Sequence, residues 1–488
     1  MTLTTRRLFS ILLFILIFFI TLRPIADADF WWHLRTGEWI ATTHSIPHTD
    51  PFSFTETGKP WVAHEWLSEL LMFWIYSLGG TPLLTLIFSG IITAAFFLIY
   101  RISPGKPYVA GFSLLLGALA TAPVWGVRPQ IFSMVFTALF IYILHQYEGN
   151  HQLRWILPLP GFMIVWVNMH AGFIIGLAIL FIYLLSKILE WGWGSLVIRQ
   201  KKNLIPEIIP ILGVLAGCTL AILLNPNGAR MFIYPFETFS SPSMQAYIQE
   251  WASPDFHQLI WQPLAWFILA LLGFAFFKRE KPISLFWGLV SLVFGYLALR
   301  SMRNVPLFIL AATPLLATLA TSASLSISHS PYFRKKVLKW DNRGLVTTIN
   351  LLIVGLAILS LGGRFLVLKS EQIKTEQTIF PSKAVKWILA NHPAGNIYNS
   401  YDWGGYLIWS LKNYPVFIDG RADLYGDDFI NTYLEIYNAE PGWEDSLSRY
   451  QVNLVLIQKN APLGNFLVQS PHWDLVFQDE NTFLFTRR

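Results

Sequence analysis

Long apolar runs separated by short polar breaks organise most of the chain. The first, "LFSILLFILIFFITL" over 8–22, carries no charge at all. A bilayer core about 30 Å thick is crossed by ~20 mostly apolar helical residues, somewhat fewer where the bilayer adapts. By that measure the pattern predicts eleven spans, at 7–23, 82–100, 108–124, 130–147, 155–169, 171–189, 206–224, 262–277, 283–299, 305–321 and 345–364. Only "NMHAG" separates the fifth from the sixth, which predicts a tight turn or a broken helix. The pattern divides the chain into a polytopic membrane domain, 1–365, and a second domain, 366–488. In the latter, short β-like runs ("GNIYNS", "PVFIDG", "NLVLIQ", "WDLVFQ", "TFLFTRR") alternate with helix-like segments, the mark of a small α/β unit.

The basic residues orient these spans. With the N-terminus inside, the cytoplasmic connections hold Arg101 and Lys106, Arg154, the group Arg199, Lys201 and Lys202, the group Lys278, Arg279 and Lys281, and "RKKVLKWDNR". That distribution obeys the positive-inside bias. The segment "HEWLSELLMFWIYSLGG", 64–80, would invert the later loops if it crossed, so it reads as an amphipathic helix lying on the outer surface. The expectation is a multi-pass plasma (inner) membrane protein. Its N-terminus is cytoplasmic, its first outer loop is long (24–81), and its C-terminal domain is extracytoplasmic.

Composition agrees. Hydrophobic residues make up 54% and charged residues 13% of the chain, against about 25% charged in an average soluble domain. The net charge of +6 is accounted for by the inner loops, so it calls for no nucleic-acid partner. The single cysteine, Cys218, excludes an intrachain disulfide. No nucleotide-binding glycine motif is present.

Chemistry-bearing residues gather at the predicted outer face. "DADFWWHLRTGEW" opens the first loop with Asp27 and Asp29. Such an Asp-x-Asp pair can ligate a hard divalent cation, Mg or Mn, or supply a general base; it can also simply solvate a helix end. "RR", the apolar run and "ADA" also have the form of a leader cleaved after Ala28, although the run is long for one and Arg23-Pro24 interrupts it. Further along the loop stand His33, His44, His48, His64, Asp50 and Glu65, whose separations match no standard ligand motif. Asp50-Pro51 reads as the start of a turn. Arg128, Arg230, Arg300 and Arg303 run against the positive-inside bias at outer helix ends. A guanidinium fork binds phosphate bidentately, so four of them suit a lipid phosphate or diphosphate; snorkelling is the alternative for any one of them. His170 in "WVNMHAGF" can meet the first loop. Residues 231–261 can cover an outer cavity and bring Glu250 to it as a further carboxylate.

The run "DADFWWHLRTGEW…PHTDPFSFTETGKPWVAHEWLSELL", with the spans that follow and "WVNMHAGF", resembles the RgtA/B/C/D-like glycosyltransferases of the GT-C superfamily over most of the membrane part. That resemblance implies sugar transfer from a polyprenyl-phosphate or -diphosphate donor on the outer face, to a glycan, lipid or protein acceptor. It implies an acidic residue of the first loop, here Asp27 or Asp29, as the catalytic group, and a surface helix at 64–80. "NSYDWGGYLIWS" is distantly similar to the Trp-Trp-Asp-Tyr-Gly region of oligosaccharyltransferases. Its order, Tyr401-Asp402-Trp403-Gly404-Gly405, does not match, and glycines allowing close packing are the simpler reading. An inverting glycosyltransferase leads. A transporter or flippase of a lipid-linked or polar substrate, and a non-catalytic assembly protein, are the alternatives.

Overall fold

The computed structural model describes residues 3–196, 203–277, 282–328 and 343–488. The basic groups Arg199, Lys201, Lys202 and Lys278, Arg279, Lys281, and "RKKVLKWDNR" up to Asn342, lie outside the described residues.

The protein is mainly helical. Six described helices are long and apolar enough to cross a bilayer, and four shorter apolar helices accompany them. Helix α1 (Thr5–Thr21) is capped by the Thr4 hydroxyl. Helix α2 (Phe30–Thr43) follows in the first loop and α3 (Trp66–Ile102) follows that loop. Inside α3 the backbone leaves helical geometry at Gly79 and Gly80, with Gly80 at φ 63°. That conformation costs glycine nothing, and Pro82 two residues later suits the start of a new helix. The break falls where the expected surface helix gives way to the expected second span, although the helix begins at Trp66 rather than His64. The "NMHAG" break is a true interruption: His170 is extended, at φ −168° and ψ 143°.

Connections sort to two ends. At one, Ser10 meets the Tyr100 hydroxyl at 2.8 Å, Asn350 donates to the Leu3 carbonyl, and Ser284 donates to Glu148 at 3.0 Å. At the other, the first loop meets the 125–128 turn, the 231–261 loop and the C-terminal domain, and the 301–304 turn bonds to the 231–261 loop. The helix Arg343–Ile379 runs without interruption across residue 365 into that domain.

The C-terminal domain carries a four-stranded sheet, β1 (Asn396–Asn399), β2 (Val452–Gln458), β3 (Trp473–Gln478) and β4 (Thr482–Arg487), in the order β1-β2-β4-β3. β1 and β2 are parallel; the other pairs are antiparallel. "PVFIDG" is not one of these strands, contrary to the sequence expectation. Its Val416 makes only isolated bridges, to Ser53 and Ile397. The reason is that its backbone is spent on the first loop: Val416 N–H donates to the Phe52 carbonyl at 3.1 Å and Phe54 N–H to the Val416 carbonyl at 3.2 Å.

That joint is reinforced by a closed ion network. Arg421, wholly buried, donates to both oxygens of Asp419 at 2.8 and 2.7 Å and to Asp50 at 2.8 Å. Its guanidinium lies over Trp61 and Phe52, at 4.7 and 5.2 Å from the ring centres. Asp50 also accepts the N–H groups of Phe52 and Ser53, the turn its Asp-Pro sequence predicts. Glycines permit the close approach. A Cβ on Gly405 would stand 2.6 Å from the Ala28 carbonyl, and one on Gly420 would collide with the Asp29 carboxylate.

Candidate active site

The first loop turns after α1 and places Asp27 and Asp29 just ahead of α2. Asp29 N–H donates to Asp27 Oδ1 at 2.9 Å, and the Trp32 indole N–H donates to Asp29 Oδ1 at 3.2 Å. Each carboxylate turns its other oxygen to Arg128: Nε reaches Asp27 Oδ2 at 2.9 Å and Nη2 reaches Asp29 Oδ2 at 2.6 Å. Arg128 comes from the "WGVRPQ" turn, where a Cβ on Gly126 would touch Asp27 at 3.5 Å. Glu250, delivered by the 231–261 loop, holds Arg128 Nη1. The 301–304 turn fixes that loop, with Ser301 Oγ donating to the Glu250 carbonyl at 2.8 Å and Met302 N–H to the Ala252 carbonyl at 2.9 Å. Three carboxylates therefore share one guanidinium.

They line a cavity of about 710 Å³ together with Arg23, Ser89, Tyr247, Tyr401 and Asp402. Asp29 keeps 24% and Glu250 34% of the side-chain surface open. Burial raises both aspartates above the ordinary carboxylate range despite Arg128, Asp29 to about 7. Burial would also raise Glu250, but there the Arg128 and Arg303 charges prevail and hold it below its usual value.

Of the four arginines singled out in the sequence, this cavity takes only Arg128. Arg303 stands behind it, stacked 4.6 Å over Trp251 beside Glu250. Arg300 is exposed, because the helix Leu285–Arg300 ends there and extended Ser301 (φ −149°) breaks the phase that would have put both arginines on one face. Arg230 is also exposed; it pairs with Glu237 at 3.3 Å in a separate hollow with Tyr234, Asp423 and Asp427. The expectation that all four converge is thereby corrected.

His33, His64, Glu65 and His170 form a second, more deeply buried cluster, whereas His44 and His48 are exposed and outside it. His33 Nδ1 lies 3.1 Å from Glu69 Oε1 and 3.4 Å from Glu65 Oε2. The other oxygen of Glu65 faces His64 Nε2 at 3.1 Å and His170 Nε2 at 3.5 Å. His170 is held from behind: its Nδ1 accepts Gly172 N–H at 2.9 Å and meets Ser133 Oγ at 2.7 Å. Burial pushes His33 down to about 3 and His170 to about 4, so both imidazoles are neutral at physiological pH. Burial would raise Glu65, but the charge and hydrogen bond of His64 outweigh it and hold that carboxylate below its usual value.

Sequence reasoning missed Glu69, Arg421 and Asp419. Glu69 follows Glu65 by four residues, and i, i+4 spacing on a helix face was the available signal. Nothing local marks Arg421. At the Asp-x-Asp pair, where a cation was expected, Arg128, Trp32 and the Asp29 amide each meet the carboxylates, with one hydrogen bond at each of the four oxygens. Among the described residues, His33, Glu65 and Glu69 form a group whose ligand atoms lie close enough together to hold a metal ion.

No protein-family profile matches the chain, and no curated protein matches it in sequence. Its architecture does match solved structures. The oligosaccharyltransferase of Archaeoglobus fulgidus in the apo form aligns over 92% of this chain and 69% of its own, with 12% identity and a TM-score of 0.55. The same organism's AglB, in complex with an inhibitory peptide and a dolichol-phosphate, aligns over the same shares with 12% identity and a TM-score of 0.54. ArnT from Cupriavidus metallidurans in the apo state aligns over 96% of this chain and 95% of its own, with 12% identity and a TM-score of 0.50. By architecture the chain shares the fold of these solved structures.

Proposed function

We propose that the chain is an inverting membrane glycosyltransferase that moves a sugar from a polyprenyl-phosphate-linked donor to a glycan, lipid or protein acceptor at the outer face of the plasma membrane. In this reading it crosses the bilayer eleven times, with its N-terminus cytoplasmic and its C-terminal domain outside. One observation carries the proposal: Asp27, Asp29 and Glu250 converge on Arg128 in a single open cavity, at the end of the bundle that bears the C-terminal domain. The fold supports it, as does a neighbour of the same architecture whose complex contains a dolichol-phosphate.

The chemistry follows from the charges. Asp29, raised to about 7, is matched to a proton acceptor working near neutrality, worth ~10²- to 10⁴-fold in rate. It takes the proton of the acceptor hydroxyl as that oxygen attacks the anomeric carbon, and the bond to the donor phosphate breaks on the opposite side. Arg128 meets the charge that develops on the departing phosphate. The position a phosphate oxygen takes is the one Glu250 holds, because Glu250 is the most exposed of the three carboxylates and sits on a loop. Asp27 keeps the guanidinium in register through Nε.

The test is lipid binding. A long-chain polyprenyl monophosphate, added to the full chain in detergent and followed by native mass spectrometry, should bind the wild-type chain and bind Arg128→Met at least ~10-fold more weakly, the loss of one charge-assisted contact. Equal binding by both chains would remove Arg128 from the phosphate site.

A further inference from the structure

The His33–Glu65–Glu69 cluster takes no part in the transfer reading above, and its valences do not close. His33 is 4% exposed, Glu65 7% and Glu69 1%. Two carboxylates thus lie side by side away from water, and His33 Nδ1 points between them. A ring nitrogen carries at most one proton, so it can donate to Glu65 or to Glu69 but not to both. The second oxygen of Glu69, Oε2, is buried without any hydrogen-bond partner among the described residues. An unsatisfied buried carboxylate oxygen costs more than an ordinary lost hydrogen bond. A cation with more than one bond to offer could engage both carboxylates and this free oxygen at once, which a single proton on His33 does not.

The spacing admits a metal ion. In a tetrahedral site with bonds of 2.0–2.2 Å, neighbouring ligand atoms stand about 3.3 Å apart. Here the imidazole nitrogen is 3.1 Å from one carboxylate oxygen and 3.4 Å from the other, and all three ligand atoms lie within 4.8 Å of one another. A nitrogen ligand and a dry setting disfavour magnesium and calcium, which prefer oxygen and retain water. Around the ligands stands an outer layer: His64 and His170 face the free oxygen of Glu65, and Ser133 and Gly172 hold His170 in turn. Such partners orient ligating carboxylates and are the usual support of a metal site.

We infer that His33, Glu65 and Glu69 bind one zinc ion, which fastens α2 to the start of α3 within the first loop. The ion also braces the neighbouring cavity. The His33 ring is packed against Trp32 at 3.6 Å between centres, and the Trp32 indole N–H holds Asp29. Zinc at His33 therefore fixes the ring that positions Asp29, while remaining separate from the Asp27/Asp29 pair. The inference rests on ligand geometry and stands whether or not the chain transfers sugar.

Metal analysis of the full chain, purified in detergent without chelators from zinc-supplemented medium, tests it. We expect about one zinc per chain in the wild type and in Asp27→Asn and Asp29→Asn, and less than about a tenth of that in Glu69→Gln and His33→Gln, since loss of a ligand removes most of the binding energy. Should those variants fail to fold, the wild type decides alone: a strong zinc chelator should lower its melting temperature, and added zinc should restore it. A wild-type chain with no zinc or with another metal, zinc retained in both ligand variants, or a melting temperature indifferent to the chelator would each overturn the assignment.

Discussion

Two arginines, Arg128 and Arg421, each gather carboxylates around a guanidinium at the same end of the molecule, and they differ in what is left over. Arg421 meets two aspartates with every exposed surface gone; Tyr425 donates to Asp419 at 2.7 Å, and two aromatic rings close the faces. Its charges balance to within one and its hydrogen bonds are used internally. Arg128 meets three carboxylates in a cavity of about 710 Å³ and keeps 15% of its side-chain surface open. There carboxyl groups outnumber the guanidinium three to one, and one partner, Glu250, arrives on a loop. A closed network joins domains, whereas an open one with surplus carboxyl groups can exchange a partner for a ligand. The comparison teaches that the count of carboxylates matters less than whether water and substrate can reach them.

The comparison can be broken most forcefully at the closed network. Arg421→Met leaves Asp50 and Asp419 buried without a counter-charge, a loss of ~3–5 kcal/mol. Thermal unfolding in detergent should show it as a large drop in melting temperature or as failure to accumulate. Arg128→Met should do the reverse, lowering transfer by ~10²- to 10³-fold with a much smaller change in melting temperature, because water reaches the carboxylates it abandons. A similar destabilisation by both variants would erase the distinction.

Acidity sharpens it further. Burial raises Asp29 to about 7, and a base must be deprotonated to act. Transfer should therefore climb about tenfold per pH unit below neutrality and level off above it, in a pH–rate profile taken between pH 5.5 and 8.5. The smallest effect belongs to Glu250→Gln. Removing a competitor for Arg128 should strengthen binding of a polyprenyl monophosphate by no more than ~10-fold, the scale of one exposed ion pair, with the melting temperature unchanged.

Much of this was legible in the sequence, for identifiable reasons. Apolar runs report helices directly, because every membrane-crossing backbone must satisfy its own hydrogen bonds. The Gly79-Gly80 and "NMHAG" breaks were visible because glycine and interrupted periodicity mark them. Asp27, Asp29, Arg128 and Glu250 were each singled out, since charge at the edge of an apolar run is conspicuous. Their partners were another matter. Arg421 pairs with Asp50 across 371 positions, and "PVFIDG" bridges the first loop to the edge of β1; periodicity holds no record of such contacts. Arg230 and Arg300 looked equivalent to Arg128 until helix ends and an extended serine set their directions. His33 and His64 lacked a ligand motif because their cluster is completed by Glu65 and Glu69 at the start of a helix whose pattern reads as amphipathic packing.

The most direct measurement is transfer of labelled sugar from membrane-derived polyprenyl-phosphate donors by the full chain in proteoliposomes, with Asp27→Asn and Asp29→Asn compared at equal insertion. The account predicts a fall of ~10²-fold or more for Asp29→Asn, the worth of a general base, together with loss of the slope below neutrality, and a smaller fall for Asp27→Asn. Wild-type rates in both variants would contradict it.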